Sequence, residues 1–342
     1  MKKFFLLLLL LTVLAVAAAT ELQKRWQTPL QIPRAGLKFE VKTGDSLRSI
    51  ARRLQSEGIY ADAMLLIAYG RITGVDSQLK RGQYLVPPGI LPEAFLQLLQ
   101  GGEVLSYQVT IPEGLTLSQA LTRLGEQSEL VTELSGTDDA RIVQLSTDYP
   151  SAEGLFLPET YRFVSGDSDW DIVQRAFAQM QQVLMEEWAQ RMDNLPLETP
   201  YEALILASII ERETGVPRER AQIAGVFIRR LQKGIRLQTD PTIIYGLGAD
   251  FDGNLRRSHL RDESSPYNTY RHHGLPPTPI ALPGRAAIHA ALHPDDGQTL
   301  FFVARGDGSH EFSITLAEHE RAVRKYQLRR RSDYRSSPKK NQ

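Results

Sequence analysis

The chain has 342 residues with 40 basic and 40 acidic side chains, so its formal net charge is zero and no global basic field points to a nucleic-acid partner. It has no cysteine, which excludes disulfides, zinc–thiolate sites and thiol nucleophiles. Its length allows two or three domains with cores of their own.

The N-terminus, MKKFFLLLLLLTVLAVAAAT, sets two lysines before an unbroken apolar segment from Phe4 to Ala19. That run is just short of the roughly 17–25 residues of a spanning helix and longer than the roughly 7–15 of a cleaved signal core. Residues 1–20 are therefore expected to be a signal anchor or transmembrane helix. Lys2 and Lys3 would stay cytoplasmic and the rest would lie outside the cytoplasm. Ala17 and Ala19 also fit a small-x-small cleavage pattern, so removal of the segment stays open. Residues 21–38, polar with two prolines, suit a linker.

In FEVKTGDSLRSIARRL, Phe39 and Val41 alternate like a strand, Gly44 and Asp45 turn, and Asp45 or Ser46 can cap a helix with Leu47, Ile50, Ala51 and Leu54 on its apolar side. LKRGQYLVPPG (79–89) reads as turn, short strand and proline stop. Residues 39–90 thus form a small strand–helix–helix–strand module, and 91–150 a connecting α/β region. Within that region, VTIPEGLTLSQALTRL (109–124) repeats the plan, with Thr116 and Gln119 as a capping box. Residues 151–327 are expected to be mostly helical with added strands. EGLFLPETYRF (153–163) sets aromatics around a turn. Helical patterns follow at 170–192, 200–214, 223–234 and 286–294, and LFFVARGDGSHEFS (300–313) reads as a hairpin. Residues 328–342 are a polar basic tail, expected to be disordered. The fold class expected is α+β.

LILASIIERETG (204–215) is an apolar helix ending in two glutamates. At about 100° per residue, Glu211 and Glu213 point to nearly opposite sides. Glu211 shares a stripe with Leu204, Ala207 and Ser208. A lone glutamate against apolar walls has its pKa raised and can act as a general acid. Two solvated residues at a frayed helix end are the plainer alternative. In LQTDPTIIYG (237–246), Asp240 before Pro241 reads as a helix cap, while Gln238 and Tyr245 could line a polar cleft. Tyr267, Asn268 and Tyr270 lie in SPYNTYRHHGLPP, a loop whose aromatic faces and amide suit sugar rings or simply a rigid proline-walled turn. His289 and His293 have i, i+4 spacing with no acid between them, and His272 and His273 diverge, so no metal is expected. No G-x-S-x-G elbow, phosphate loop or dinucleotide fingerprint occurs.

Residues Val41, Gly44, Asp45, Ser46, Leu47, Ile50 and Ala51, with Gly82, Gln83, Leu85 and Pro87, resemble a LysM domain, which implies either N-acetylglucosamine binding or a degenerate spacer. ASIIERET, LQTDPTIIYG, YNTY, GLPPTPI and HEF, in this order after EGLFLPETY, resemble the YceG-like family of endolytic murein transglycosylases over about residues 39–327. The resemblance implies a membrane anchor in the inner membrane, a catalytic domain in the periplasm and peptidoglycan strands as substrate. It also implies peptidoglycan synthases as partners and no cofactor. It assigns the catalytic acid to Glu211, the first acid of the motif. Gln238, Asp240, Tyr245, Tyr267, Asn268 and Tyr270 are expected to hold the saccharide, and Glu213 to support structure. A muramidase-type hydrolase, with Asp240 or another acid activating water, and a non-catalytic wall-binding tether are the alternatives.

Overall fold

A computed structural model describes residues 2–328, so the basic tail beyond Leu328 lies outside the described residues. The structure is a mixture of helices and small two-stranded sheets, and the chain forms two compact units.

The first unit comprises residues 1–108 with two short returns at 128–131 and 162–167. Helix α1 (Lys2–Trp26) is long and apolar enough to cross a membrane, with mean hydropathy 2.4 over an 18-residue window. It runs further than the apolar segment alone suggests. The next stretch is packed rather than free: Trp26 stacks on Tyr69 at 4.5 Å, Leu30 is buried, and the Leu30 and Gln31 amides donate to Ile90 and Ile59 carbonyls. The polar composition that suggests a tether reflects only the outward side of this segment.

Strand β1 (Leu37–Val41) pairs antiparallel with β2 (Gly82–Val86), Phe39 opposite Tyr84. Between them lie α2 (Leu47–Ser56) and α3 (Ala63–Thr73), and α4 (Pro92–Gly101) follows. Ser46 caps α2, in a reciprocal box with Ser49. Phe39, Val41, Ile50, Leu54, Leu66, Tyr84, Phe95 and Leu99 form one core. Tyr84 enters it because its hydroxyl donates to the Lys80 and Leu99 carbonyls, at 2.7 and 3.1 Å.

Strands β3 (Ser106–Thr110) and β4 (Thr160–Val164) form a second pair. The second unit then contains α5 (Leu117–Gly125), α6 (Ala140–Leu145), α7 (Asp169–Ala189), α8 (Pro200–Glu213), α9 (Arg220–Gln232), α10 (Asp240–Leu247), α11 (Arg257–Arg261) and α12 (Arg285–Leu292). It closes with the antiparallel hairpin β5 (Phe301–Ala304) and β6 (His310–Ser313), then α13 (Leu316–Val323). The boxes Thr116–Gln119 and Ser168–Asp171 start α5 and α7.

Helix α8 is the centre of this unit. Every residue from Ala203 to Ile210 is buried, as in a helix apolar all round. Helices α7, α9, α10 and α12 pack on it, α12 presenting Ala287, Ala290 and Ala291 as small contact residues. Ser208, fully buried, is satisfied by donating to Ile205 O at 2.7 Å and accepting from Ile280 N at 3.0 Å. At α10 the cap differs from the sequence expectation: Thr239 is the N-cap and Asp240 the first helical residue. Two adjacent cap-forming residues compete there, and Thr239 takes the extended backbone, leaving Asp240 free to point outward.

Gly154, in the turn that opens EGLFLPETY, has φ +82°, and a Cβ there would meet Pro279 Cβ at 2.5 Å. Gly253 has a similar φ of +90° but open space around it. Gly154→Ala is expected to lose roughly 2–4 kcal/mol of stability from strain plus overpacking, and Gly253→Ala only about 1–2 kcal/mol. Denaturant titration of both variants checks this; equal losses would show that the Pro279 contact relaxes without cost.

Candidate active site

The C-terminal end of α8 carries Glu211, Arg212 and Glu213, and Thr214 leaves the helix at φ −142°. The break is held from outside the helix. Thr214 Oγ1 accepts from Val216 N at 3.0 Å and reaches Glu219, whose carboxylate accepts from the His310 amide and from His310 Nδ1 at 2.8 Å. Glu219 and His310 are both buried. A hairpin distant in sequence thus fixes the exit of the acid-bearing helix.

The two glutamates meet different surroundings, as their helical spacing requires. Glu211, with a side chain 5% exposed, accepts from Gly284 N at 3.0 Å and faces Arg220 Nη2 at 3.3 Å. Arg220 also reaches Glu113 at 3.4 Å. Burial, then the Glu113 charge, push the Glu211 carboxyl above its ordinary range, against the Gly284 amide and Arg220. Glu213 is half-buried and accepts a short hydrogen bond from Thr239 Oγ1. Burial pushes it up to about 7; Asp240 adds to the rise, and Thr239 and Arg230 oppose it. The guanidinium of Arg230 is committed to carbonyls, donating to Leu300 O and Leu237 O at 2.7 Å each. Glu211 therefore has a cation within hydrogen-bond reach, and Glu213 has a hydroxyl.

Around Glu213 the structure gathers several residues singled out from sequence. Gln238, exposed with φ +49°, donates its amide to Thr269 O at 3.1 Å. Asp240 accepts from Tyr270 Oη at 2.8 Å, and burial with the Asp240 charge raises the Tyr270 phenol. Asn268 is placed differently: it is 1% exposed, and its side chain bonds His259 O, Asp262 O and Tyr270 N. It shapes the loop from inside.

Tyr245 and Glu153 stand in the wall of a cleft of about 1220 Å³, and Tyr267 packs behind Tyr245. Tyr245, from α10, meets Tyr267 edge-on at 5.0 Å and donates to Glu153 at 3.3 Å, while Tyr267 Oη pairs with Thr278 at 2.8 Å. Glu153 is buried, accepts from Leu117 N at 2.9 Å, and is pushed up to about 7 by burial. Arg212, Pro241, Ile244 and Phe251 complete the wall nearest α8 and α10. Glu153, Thr239, Arg220 and Arg230 were not singled out from sequence. Glu153 heads a quoted motif block, a signal that could have found it.

The histidine pair gains an acid that its own helix lacks. Glu187, from α7, bonds His289 Nδ1 at 2.8 Å, and its carboxylate with His289 and His293 could offer ligand atoms within 4.8 Å of one another. The fit to a metal is poor: Arg285 Nε holds the other Glu187 oxygen at 2.7 Å. The imidazoles stack in parallel at 4.1 Å, and His293 Nε2 pairs with Gln190 O. The group is built as an ion-pair cluster.

Comparison with known proteins places this geometry in a family. The YceG-like family model matches residues 39–325. The chain is 30% identical over 310 residues to the endolytic murein transglycosylase of Bacillus subtilis (strain 168), covering 85% of this chain and 84% of that protein. It is 26% identical over 317 residues to the endolytic murein transglycosylase of Streptococcus pneumoniae serotype 2 (strain D39 / NCTC 7466), covering 83% of this chain but 57% of that longer protein. The crystal structure of a yceG-like protein from Listeria monocytogenes aligns with TM-score 0.53 and 29% identity, over 84% of this chain and 99% of that one. The chain belongs to the YceG-like family.

Proposed function

We propose that the protein is an endolytic peptidoglycan lytic transglycosylase, cutting the β-1,4 bond between N-acetylmuramic acid and N-acetylglucosamine within glycan strands. The reading rests on the family, on relatives named endolytic murein transglycosylases, and on a desolvated acid beside a polar, aromatic-walled cleft. Helix α1 acts as a single-pass inner-membrane anchor with Lys2 and Lys3 in the cytoplasm, which places the rest in the periplasm. There the enzyme trims nascent strands beside the synthases that make them. The β1–α2–α3–β2 module serves as the LysM-like glycan contact.

The reaction needs a proton on the leaving oxygen O4 as the C1–O4 bond breaks and positive charge develops at C1. The muramic C6 hydroxyl then bonds C1, its proton passes to the carboxylate that gave up the first, and a 1,6-anhydro end results. One carboxyl serves both steps. The resemblance assigns this role to Glu211. The geometry favours Glu213, and the observation that carries it is the partner of each acid: a guanidinium at Glu211, a hydroxyl at Glu213. Burial raises both carboxyls, but Glu211 is held by the Arg220 guanidinium and the Gly284 amide, whereas Glu213, pushed up to about 7, has only the Thr239 hydroxyl within hydrogen-bond reach and so is the freer to donate and recover a proton. Gln238, Asp240 and Tyr270, close by, hold the saccharide, with Tyr245 offering a ring face from the cleft and Tyr267 packed edge-on against it.

Mass spectrometry of peptidoglycan digested by the full-length chain in detergent tests the function and the acid together. Wild type is expected to make anhydro-ended fragments, Glu213→Gln to lose on the order of 10²–10⁴-fold in rate, and Glu211→Gln to keep measurable cleavage. The reverse ranking would return the acid to Glu211. Hydrated reducing ends would support the hydrolase with Asp240 activating water, and intact strands with retained wall binding would leave a tether.

The pH dependence has a defined sign. The Glu213 carboxyl must be protonated to act, so activity should fall as pH rises through about 7. The Thr239 hydrogen bond favours the ionised form, so Thr239→Val should move this alkaline limb to higher pH; a limb that stays put or moves down counts against Glu213 as the acid. Stability follows the same proton. Glu153 and Glu213 each titrate from an ordinary 4.5 up to about 7 on folding, so between those values the native state holds protons that the unfolded chain releases. Unfolding free energy should therefore fall with rising pH across that window. Glu153→Gln and Glu213→Gln should each flatten the slope in denaturant titrations, and an unchanged slope in both would contradict the assignment.

A further inference from the structure

Arg212 stands between the two glutamates in sequence, yet it pairs with neither. Glu211 turns to Arg220 and Glu213 to Thr239, while Arg212 lines the cleft and donates Nη1 to Gly114 O at 2.9 Å. Among the described residues no carboxylate lies within ion-pair range of it, in contrast to Arg220 and Arg285, which are neutralised by glutamates. It is the only cation among the residues described as lining this cleft. The acids there do not compensate it: Asp138 sits on an exposed part of the wall, and Glu153 is spent on Leu117 N and Tyr245 Oη. The Gly114 carbonyl fixes one edge of the guanidinium, and its remaining N–H groups are available to a ligand. A planar, pre-positioned fork of this kind matches a carboxylate.

Resting on the transglycosylase reading, we propose that Arg212 is a specificity-determining residue that receives a carboxylate carried on the muramic acid side arm of the strand. Two sources present that chemistry: the lactyl carboxylate of a bare strand, and a carboxylate of the stem peptide where one is attached. N-acetylglucosamine itself carries none. The cleft runs beside the end of α8, so a side arm seated on Arg212 would keep a muramic residue near the acid and set which sugar is presented for cleavage.

Binding separates these possibilities from catalysis. The full-length chain, carrying whichever glutamine substitution abolishes cleavage, is titrated with three probes: peptide-bearing glycan strands, the same strands stripped of peptide by an amidase, and an N-acetylglucosamine oligomer. Adding Arg212→Gln should weaken a carboxylate-bearing probe by roughly 10- to 100-fold and leave the N-acetylglucosamine oligomer unchanged. Loss confined to peptide-bearing strands identifies the stem peptide, loss confined to stripped strands identifies the lactyl group, and loss on both shows that either is accepted. Arg212→Lys, which keeps the charge without the fork, should fall between and guards against a folding defect in the glutamine variant. Equal weakening of all three probes, or of none, overturns the proposal. A parent that binds none of the three while its wild type still cleaves strands also overturns it, and one that neither binds nor cleaves overturns the transglycosylase reading beneath it.

Discussion

Desolvation of the carboxylates at the end of α8 is the constraint on which the site depends. The helix is buried all round for most of its length, so the chain cannot expose it to water, and its acids inherit that environment. An acid at a helix C-terminus also meets the negative end of the macrodipole, which opposes ionisation. Burying a carboxylate this way is costly unless it stays protonated or finds partners. The fold uses both solutions, a guanidinium and an amide for Glu211 and a hydroxyl for Glu213, within a single turn of helix. Neighbouring acids thus meet different partners, one a guanidinium and one a hydroxyl, while burial raises the pKa of both.

The supports of that arrangement come from several parts of the second unit. Helix α9 brings Arg220 to Glu211 and Arg230 toward Glu213, with Arg230 anchored to carbonyls of the segments on either side. Thr239, at the start of α10, is itself held by Thr269, from the loop that Asn268 braces internally. The residues expected to hold a sugar therefore divide into those that face solvent, such as Gln238 and Asp240, and those, such as Asn268, that keep the surrounding loop in place.

What could be read from sequence follows the range of the interactions. The cap of α2, the capping box of α5, the strand–helix–helix–strand order around Phe39 to Val86 and the hairpin at 300–313 are encoded by residues a few positions apart, and local pattern finds them. The opposed directions of Glu211 and Glu213 follow from helical geometry alone. Their partners do not: Gly284 lies 73 residues from Glu211 and Thr239 lies 26 from Glu213. Glu153 looked like part of an aromatic turn because its burial comes from Leu117 and Tyr245, 36 and 92 residues away. Asn268 suits a sugar or a loop equally by residue type, and only the carbonyls around it decide. Within the stretch read as a linker, Trp26 and Leu30 find apolar partners later in the chain, which its polar composition does not reveal.

The Glu219–His310 bond has a further consequence, for the order in which the molecule becomes competent. The loop that ends α8 takes its fixed shape from a residue near the far end of the chain, and Arg230 likewise waits for Leu300. During synthesis the acids emerge first, into a segment whose exit is still unclamped. Only when the last hairpin arrives do the backbone after Glu213 and the guanidinium behind it settle. The turn that carries the acids therefore takes its final shape late, after residues some ninety positions further along the chain have found it.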